Sequence, residues 1–165
     1  MNLRRLLKHL MIPDWLARRG FSARDLAAVT AAIGDSERRH RGELRFVIEG
    51  ALPVDTLLQQ LSARERAIDL FSTLRVWDTA DNSGILIYVQ LVDHRVEILA
   101  DRGINARVAQ SEWDAICREM ETAFRSKQWR SGAVQAIERA GDLLAQHFPA
   151  GEHNPNELSD SPLVI

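Results

Sequence analysis

WDTADNSGILIYVQLVDHRVEILADRG, residues 77–103, is the stretch whose reading decides the fold. An acidic loop leads into residues 85–92, a nearly unbroken run of β-branched, aromatic and large aliphatic side chains. Gly84 and Asp93 bound that run, which predicts a strand. Asp93 and His94 are residue types that tolerate positive φ and supply a two-residue turn. Val96, Ile98 and Ala100 then alternate with Arg95, Glu97 and Leu99, the pattern of a half-buried return strand. This turn sets Val92 against Arg95, Gln90 against Glu97, Tyr88 against Leu99 and Leu86 against Asp101. One face carries Ile85, Ile87, Val89, Leu91, Val96, Ile98 and Ala100 and must be covered. The other is apolar around Leu86, Tyr88 and Leu99 and polar toward the turn.

Such a hairpin puts its entry beside its exit, so Asp78 and Asp81 approach Asp101. Calcium and other hard divalent cations want clustered carboxylate and carbonyl oxygens, and Gly84 and Gly103 leave the backbone room to turn inward. Asp78, Asp81 and Asp101 are therefore the candidate metal ligands. Against this stands the commoner role of aspartate as a water-facing turn residue. Three carboxylates meeting without a cation repel one another and raise the pKa of at least one.

The length of 165 residues suits one domain with a proper core, and a net charge of −2 argues against a dedicated nucleic-acid binder. A single cysteine excludes an intrachain disulfide framework, and the histidines lack zinc-site spacing. No apolar run is long enough to span a bilayer or to form a signal-peptide core, so a cytoplasmic location is the default expectation. Glycine-rich dinucleotide and phosphate loops, a G-x-S-x-G elbow and an H-E-x-x-H helix are all missing, and no nucleotide cofactor is expected. If catalysis occurs, the acids at the hairpin end carry it, through a metal acting on a phosphate ester.

Residues 1–20 form a basic amphipathic arm. Leu3, Leu6, Leu7 and Leu10 follow helical spacing with Arg4, Arg5 and Lys8 between them, and Pro13 interrupts ahead of Asp14 and Trp15. The arm reads either as an interfacial membrane helix or as a segment packed on its own domain or a partner subunit. The second is preferred, because few positive charges on one short helix attract a membrane only weakly.

Residues 21–149 make up the domain proper. Ser22 and Asp25 form a capping box for a helix to about Arg39 that buries Leu26, Val29 and Ile33. Glu37 and His40 share the E-x-x-H spacing of di-iron bundles, but one copy alone reads as a surface pair. In residues 43–50 Leu44, Phe46 and Ile48 alternate with Arg45, Val47 and Glu49, a first strand with Glu49 as an exposed strand-end charge. Ser62 and Glu65 cap a helix expected to bury Ile68, Phe71 and Leu74.

Ser111 and Asp114 open another helix, with Trp113, Ile116, Cys117, Met120 and Phe124 on one stripe. Cys117 there reads as a small buried hydrophobe. A last helix carries Val134, Ile137, Leu144 and Phe148, with Gly141 permitting a close neighbour. The four tryptophans, at 15, 77, 113 and 129, suit core and seam positions better than a stacking platform. The tail, residues 150–165, holds Glu152, Glu157 and Asp160 without Lys or Arg and reads as extended or flexible, with an apolar end able to dock.

The order helix, E-L-R-F-V-I-E strand, A-R-E-R-A-I-D-L-F helix, V-W-D-T loop, G-I-L-I-Y-V strand, R-V-E-I-L-A-D-R-G strand and two closing helices resembles the TPM domain family, named for thylakoid-lumen, photosystem-repair and receptor-modulator members. The resemblance covers roughly residues 24–148 and is greatest to a short bacterial branch. It implies an α/β fold, a small mixed β-sheet sandwiched between helices with the antiparallel hairpin at its centre. It also implies calcium binding in some members and phosphatase activity proposed for some. Asp78 matches the acid that opens the family's loop before the apolar strand. Asp101-Arg102-Gly103 stands where many members have Gly-Tyr-Gly, Asn105 replaces a frequent glutamate, and Gly20-Phe21-Ser22 replaces the D-x-A-G-x-L segment. The expected function is a binding or assembly module for protein partners, a membrane protein among them. The alternatives are a metal-assisted phosphatase and a peripheral adaptor that holds the inner membrane through residues 1–20.

Overall fold

The computed structural model describes residues 3–13, 15, 18–151 and 155–165, so Asp14 and Glu152 lie outside the described residues. A four-stranded sheet in the order β3-β2-β1-β4 forms the middle layer, built from β1 (Glu43–Glu49), β2 (Gly84–Gln90), β3 (Arg95–Ala100) and β4 (Leu163–Val164). β2 and β3 pair antiparallel, whereas β1 pairs parallel with both β2 and β4. Among the described residues the α-helices are α1 (Leu3–Met11), α2 (Ala23–Glu37), α3 (Val54–Leu58), α4 (Ala63–Thr73), α5 (Arg102–Asn105), α6 (Gln110–Arg125) and α7 (Trp129–His147). The expected α/β sandwich with a mixed sheet and an antiparallel hairpin is the observed fold, but the hairpin is not central: β3 forms one edge of the sheet, and β2 and β1 occupy its middle.

Alternation along the strands sorts the two cores. Ile85, Ile87, Val89, Leu91, Val96 and Ile98 join Leu44, Phe46 and Ile48 under α2, α6 and α7. Leu86, Tyr88, Leu99 and Val47 face Ala63, Ala67 and Leu70 of α4. On α4 the buried face is therefore Ala67 and Leu70 with Phe71 and Leu74 beside them, and Ile68, expected inside, points outward. The α6 stripe of Trp113, Ile116, Met120 and Phe124 is buried as its spacing predicts. Its helix starts at Gln110 after Ala109, so Ser111 does not cap it. Gly141 does serve close packing, since a Cβ there would lie 1.8 Å from Ser36 Oγ on α2. Trp113 and Trp129 pack in the core, but Trp15 and Trp77 are exposed beside Arg19 and Arg75.

The hairpin differs from its expected register by two residues. Gln90 pairs with Arg95, Tyr88 with Glu97 and Leu86 with Leu99, leaving a four-residue turn from Leu91 to His94. Gln90 causes the difference: its Oε1 accepts the Asp93 N–H at 2.8 Å while its Nε2 donates to Gly50 O at 2.6 Å. His94 closes the turn at φ 55°. An even shift keeps every side chain on its face, so the cores are as expected while Asp101 moves opposite Gly84, to whose carbonyl it donates at 2.8 Å.

The described end of the tail docks on the sheet, as its apolar residues allow. Ile165 N–H donates to Ile48 O and Gly50 N–H to Ile165 O, both at 2.9 Å. Leu158, Leu163 and Ile165 pack beside the α4 core, and Arg45 Nη1 holds the carbonyls of Ser159 and Ser161. Apolar burial along an open strand edge outweighs the acidic composition.

Candidate functional site

The sheet has two polar ends, and they are built differently. At one end stand the first residues of β1 and β2 and the last of β3, with Glu43 beside Gly84 and Gly84 beside Asp101. Two close approaches explain the glycines. A Cβ on Gly84 would meet Val76 O at 1.9 Å, and one on Gly103 would meet the carbonyl oxygens of Asp81 and Asn82 at 2.5 Å each. Asn82 takes φ 50°, and the Ser83 N–H is held by Thr79 Oγ1 at 3.0 Å. The loop thus aims two carbonyls at the turn that follows β3, and Gly103 N–H answers Asn82 O at 2.9 Å.

The loops meet as anticipated, but the three aspartates do not converge. Asp78, half exposed, pairs with Arg75 at 2.7 Å. Asp81 pairs with Arg41 at 3.3 Å. Asp101 caps α5 through Oδ1, which accepts the Arg102 N–H at 2.7 Å, while its Oδ2 is buried without a hydrogen-bond partner. Among the described residues no group of three or more His, Cys, Asp or Glu side chains is arranged to hold a metal ion. Ser83 Oγ, at the same end of the hairpin, is also buried and unpartnered.

More carboxylates gather here than the sequence pointed to. Glu157 Oε2 accepts the Ala80 N–H at 3.1 Å, tying the tail to the loop. Glu43 is buried and accepts the Leu158 N–H at 3.0 Å. Burial raises its pKa to about 7, more than the backbone N–H groups of Glu157 and Leu158 lower it. Glu37, expected as half of a surface pair, is buried and accepts the Leu44 N–H at 3.0 Å. Its pKa rises to about 8, first through burial and then through the neighbouring charges of Glu43 and Asp160. His40 is buried too, between Ser36 Oγ and Gly42 O, and burial lowers its pKa to about 4. The E-x-x-H residues are thus core polar groups, each bonded to its own surroundings. Only the parallel register of β1 and β2 places Glu43 at this end, and no local pattern announces that register.

At the opposite end the polar groups are closed on one another. Glu49, expected to be exposed, is 2% exposed. Arg66 binds it through Nε and Nη2, the latter at 2.7 Å, and Tyr88 Oη donates to it at 2.5 Å. Asp93 accepts from Arg5 Nε at 2.8 Å and from His9 Nε2 at 3.1 Å, and His9 Nδ1 accepts the Leu52 N–H at 2.9 Å. Burial alone would raise Asp93, but these hydrogen bonds and the Arg5 charge hold it at about 2. α1 is fastened to the domain here, as expected for an arm that packs on its own protein. It docks through Arg5 and His9, with Leu3, Leu7 and Leu10 turned outward.

Between α1, the start of α4, β3 and α6 lies a groove of about 780 Å³. Cys117 lines it with a thiol that burial pushes up to about 12, the value of an unreactive side chain. No helix among the described residues is long and apolar enough to cross a membrane.

The model of the TPM domain matches residues 18–143. Among solved structures, the NMR structure of the BA42 protein from the psychrophilic bacterium Bizionia argentinensis superposes with a TM-score of 0.77 at 30% identity, covering 88% of this chain and 95% of that one. The N-terminal domain of the cg2496 protein from Corynebacterium glutamicum shares the fold at a TM-score of 0.54 and 14% identity, over 83% of this chain and 81% of that one. No curated protein matches the chain significantly.

Proposed function

The chain belongs to the TPM domain family, and from that premise we propose that it is a binding module that takes a divalent cation, calcium first, where the 79–83 loop meets Asp101. One observation carries the reading: the buried Asp101 Oδ2 has no partner, and the carbonyls of Asp81 and Asn82 turn toward the adjacent Gly103. An orphaned carboxylate oxygen costs desolvation energy, and carbonyl and carboxylate oxygens are the donor set of a hard cation. Asp78 and Asp81 join that set by leaving surface ion pairs worth at most about 1 kcal/mol each.

Phosphate-ester hydrolysis, which the resemblance implies for some members, would need this cation as its Lewis acid, so cation binding is the first test. On the same reading the partners are proteins, membrane proteins included, and the setting is the cytoplasm or the inner-membrane surface.

Calorimetric titration with calcium, magnesium and manganese, paired with thermal melting, tests the site. At a hundredfold excess over its dissociation constant the cation stabilises the wild type by roughly 2.7 kcal/mol, and Asp101→Asn abolishes the gain. A wild-type melting temperature indifferent to all three ions overturns the proposal.

A further inference from the structure

α1 is mounted in the reverse of the usual sense. Its polar residues Arg5 and His9 face the domain, while Leu3, Leu7, Leu10 and Met11 on the opposite side are 57%, 49%, 58% and 77% exposed. The His9 and Arg5 bonds to Asp93, Leu52 and Leu61 prevent the helix from rolling its leucines inward. Surface helices of globular proteins normally turn such a stripe to the core. Along one margin of the stripe lie Arg4 and Lys8, which also line the groove beside α1.

The groove's own charges decide what suits it. Its acids Asp93, Glu97 and Glu121 are already matched by Arg5, Arg64 and by Arg95 with Arg125. Asp114 is held by Gln110 Nε2. Arg4, Lys8 and Arg118, by contrast, have no anionic partner among the described residues. An apolar stripe and a set of unspent cations therefore lie side by side on one surface.

We infer that this surface docks on an anionic membrane, with the leucine stripe entering the headgroup boundary and a lipid phosphate seated in the groove against Arg4, Lys8 and Arg118. A second copy of the chain is the poorer occupant. A two-fold contact is self-complementary and would set Arg4 and Lys8 near their own images, and α1 carries no acid to meet them. Lipid offers both chemistries at once: apolar area for the leucines and negative surface charge for the cations, worth about fivefold in affinity per Lys or Arg.

The test is co-sedimentation of the full chain with phosphatidylcholine vesicles, with and without phosphatidylglycerol, in EDTA so that the cation site plays no part. The wild type should bind only the anionic vesicles and be released by high salt. Leu3→Asp with Leu7→Asp should lower affinity by at least about tenfold, and Arg118→Ala by about fivefold. All three positions are exposed or partly exposed, and an unchanged melting temperature verifies the fold. Failure of the wild type to bind, or binding untouched by either the leucine or the Arg118 change, overturns the inference. So does a dimer in solution that Leu7→Asp dissolves while vesicles bind nothing.

Discussion

The two ends of the sheet both hold buried carboxylates and treat them in opposite ways. Around Glu49, Gln90 and Asp93 every carboxylate meets a donor, and Asp93 is held well below its ordinary pKa. Around Asp101, Glu43 and Glu37 one carboxylate oxygen has no partner and two carboxyl groups are pushed up into the neutral range. A closed network fixes geometry, here the seat of α1 and the hairpin turn. An open one leaves an acceptor that the fold has not matched. The contrast also predicts opposite responses to pH at the two ends.

The largest effect should come from breaking the closed end. Glu49→Ala leaves Arg66 and the Tyr88 hydroxyl without their acceptor in a buried site, a loss of roughly 3–5 kcal/mol. Urea unfolding measures it. The matching removal at the open end, Asp101→Ala, should cost far less, because it deletes an orphaned oxygen along with one capping bond worth about 1 kcal/mol. Equal losses at the two ends would break the comparison.

Acid sharpens the contrast next. Asp93 titrates near 2 in the fold against an ordinary 3.8, so its contribution is present above pH 3.8 and disappears as pH falls through about 2. The amount is on the order of 2 kcal/mol. Unfolding followed from about pH 5 to about pH 2 should show the wild type losing that much more than Asp93→Asn. Parallel curves would mean that Asp93 is not held by Arg5 and His9 as described.

What could be read from the chain follows from which interactions are local. The hairpin faces were legible because alternation survives an even slip; the register was not, since it hangs on Gln90 reaching Gly50 across the sheet. Both capping boxes were legible from four-residue windows. The burial of Glu49 depends on Arg66, seventeen residues away, and that of Glu37 on the Leu44 amide. The helical spacing of the arm was plain, but not that its polar edge docks, because the Asp93 that receives it lies 84 residues beyond His9. Of the candidate site, the meeting of the loops was readable from the hairpin. The arginines that draw Asp78 and Asp81 aside were not.

The smallest effect tests the open end from the alkaline side. Glu43 has a folded pKa near 7 and Glu37 near 8, both above the ordinary 4.5. A raised carboxyl contributes stability in full below its unfolded pKa and loses it as pH climbs through the folded one. The loss should therefore fall between about pH 4.5 and pH 8. It should appear first in the tail, whose Leu158 N–H is held by Glu43 and whose Asp160 lies beside Glu37. Because β4 is a single pair of residues on the sheet edge, the tail can open without unfolding the domain. Hydrogen exchange at the Gly50 and Ile165 amides, corrected for intrinsic rates, should quicken by about tenfold from about pH 5 to about pH 8, equivalent to about 1.4 kcal/mol, while amides deep in β2 stay protected. Glu43→Gln imitates the protonated acid, keeps an acceptor for Leu158, and should flatten that dependence. Protection at Gly50 and Ile165 that is constant across the range in the wild type would show that the carboxyls beneath the tail are paired after all, and the distinction between the two ends would fail.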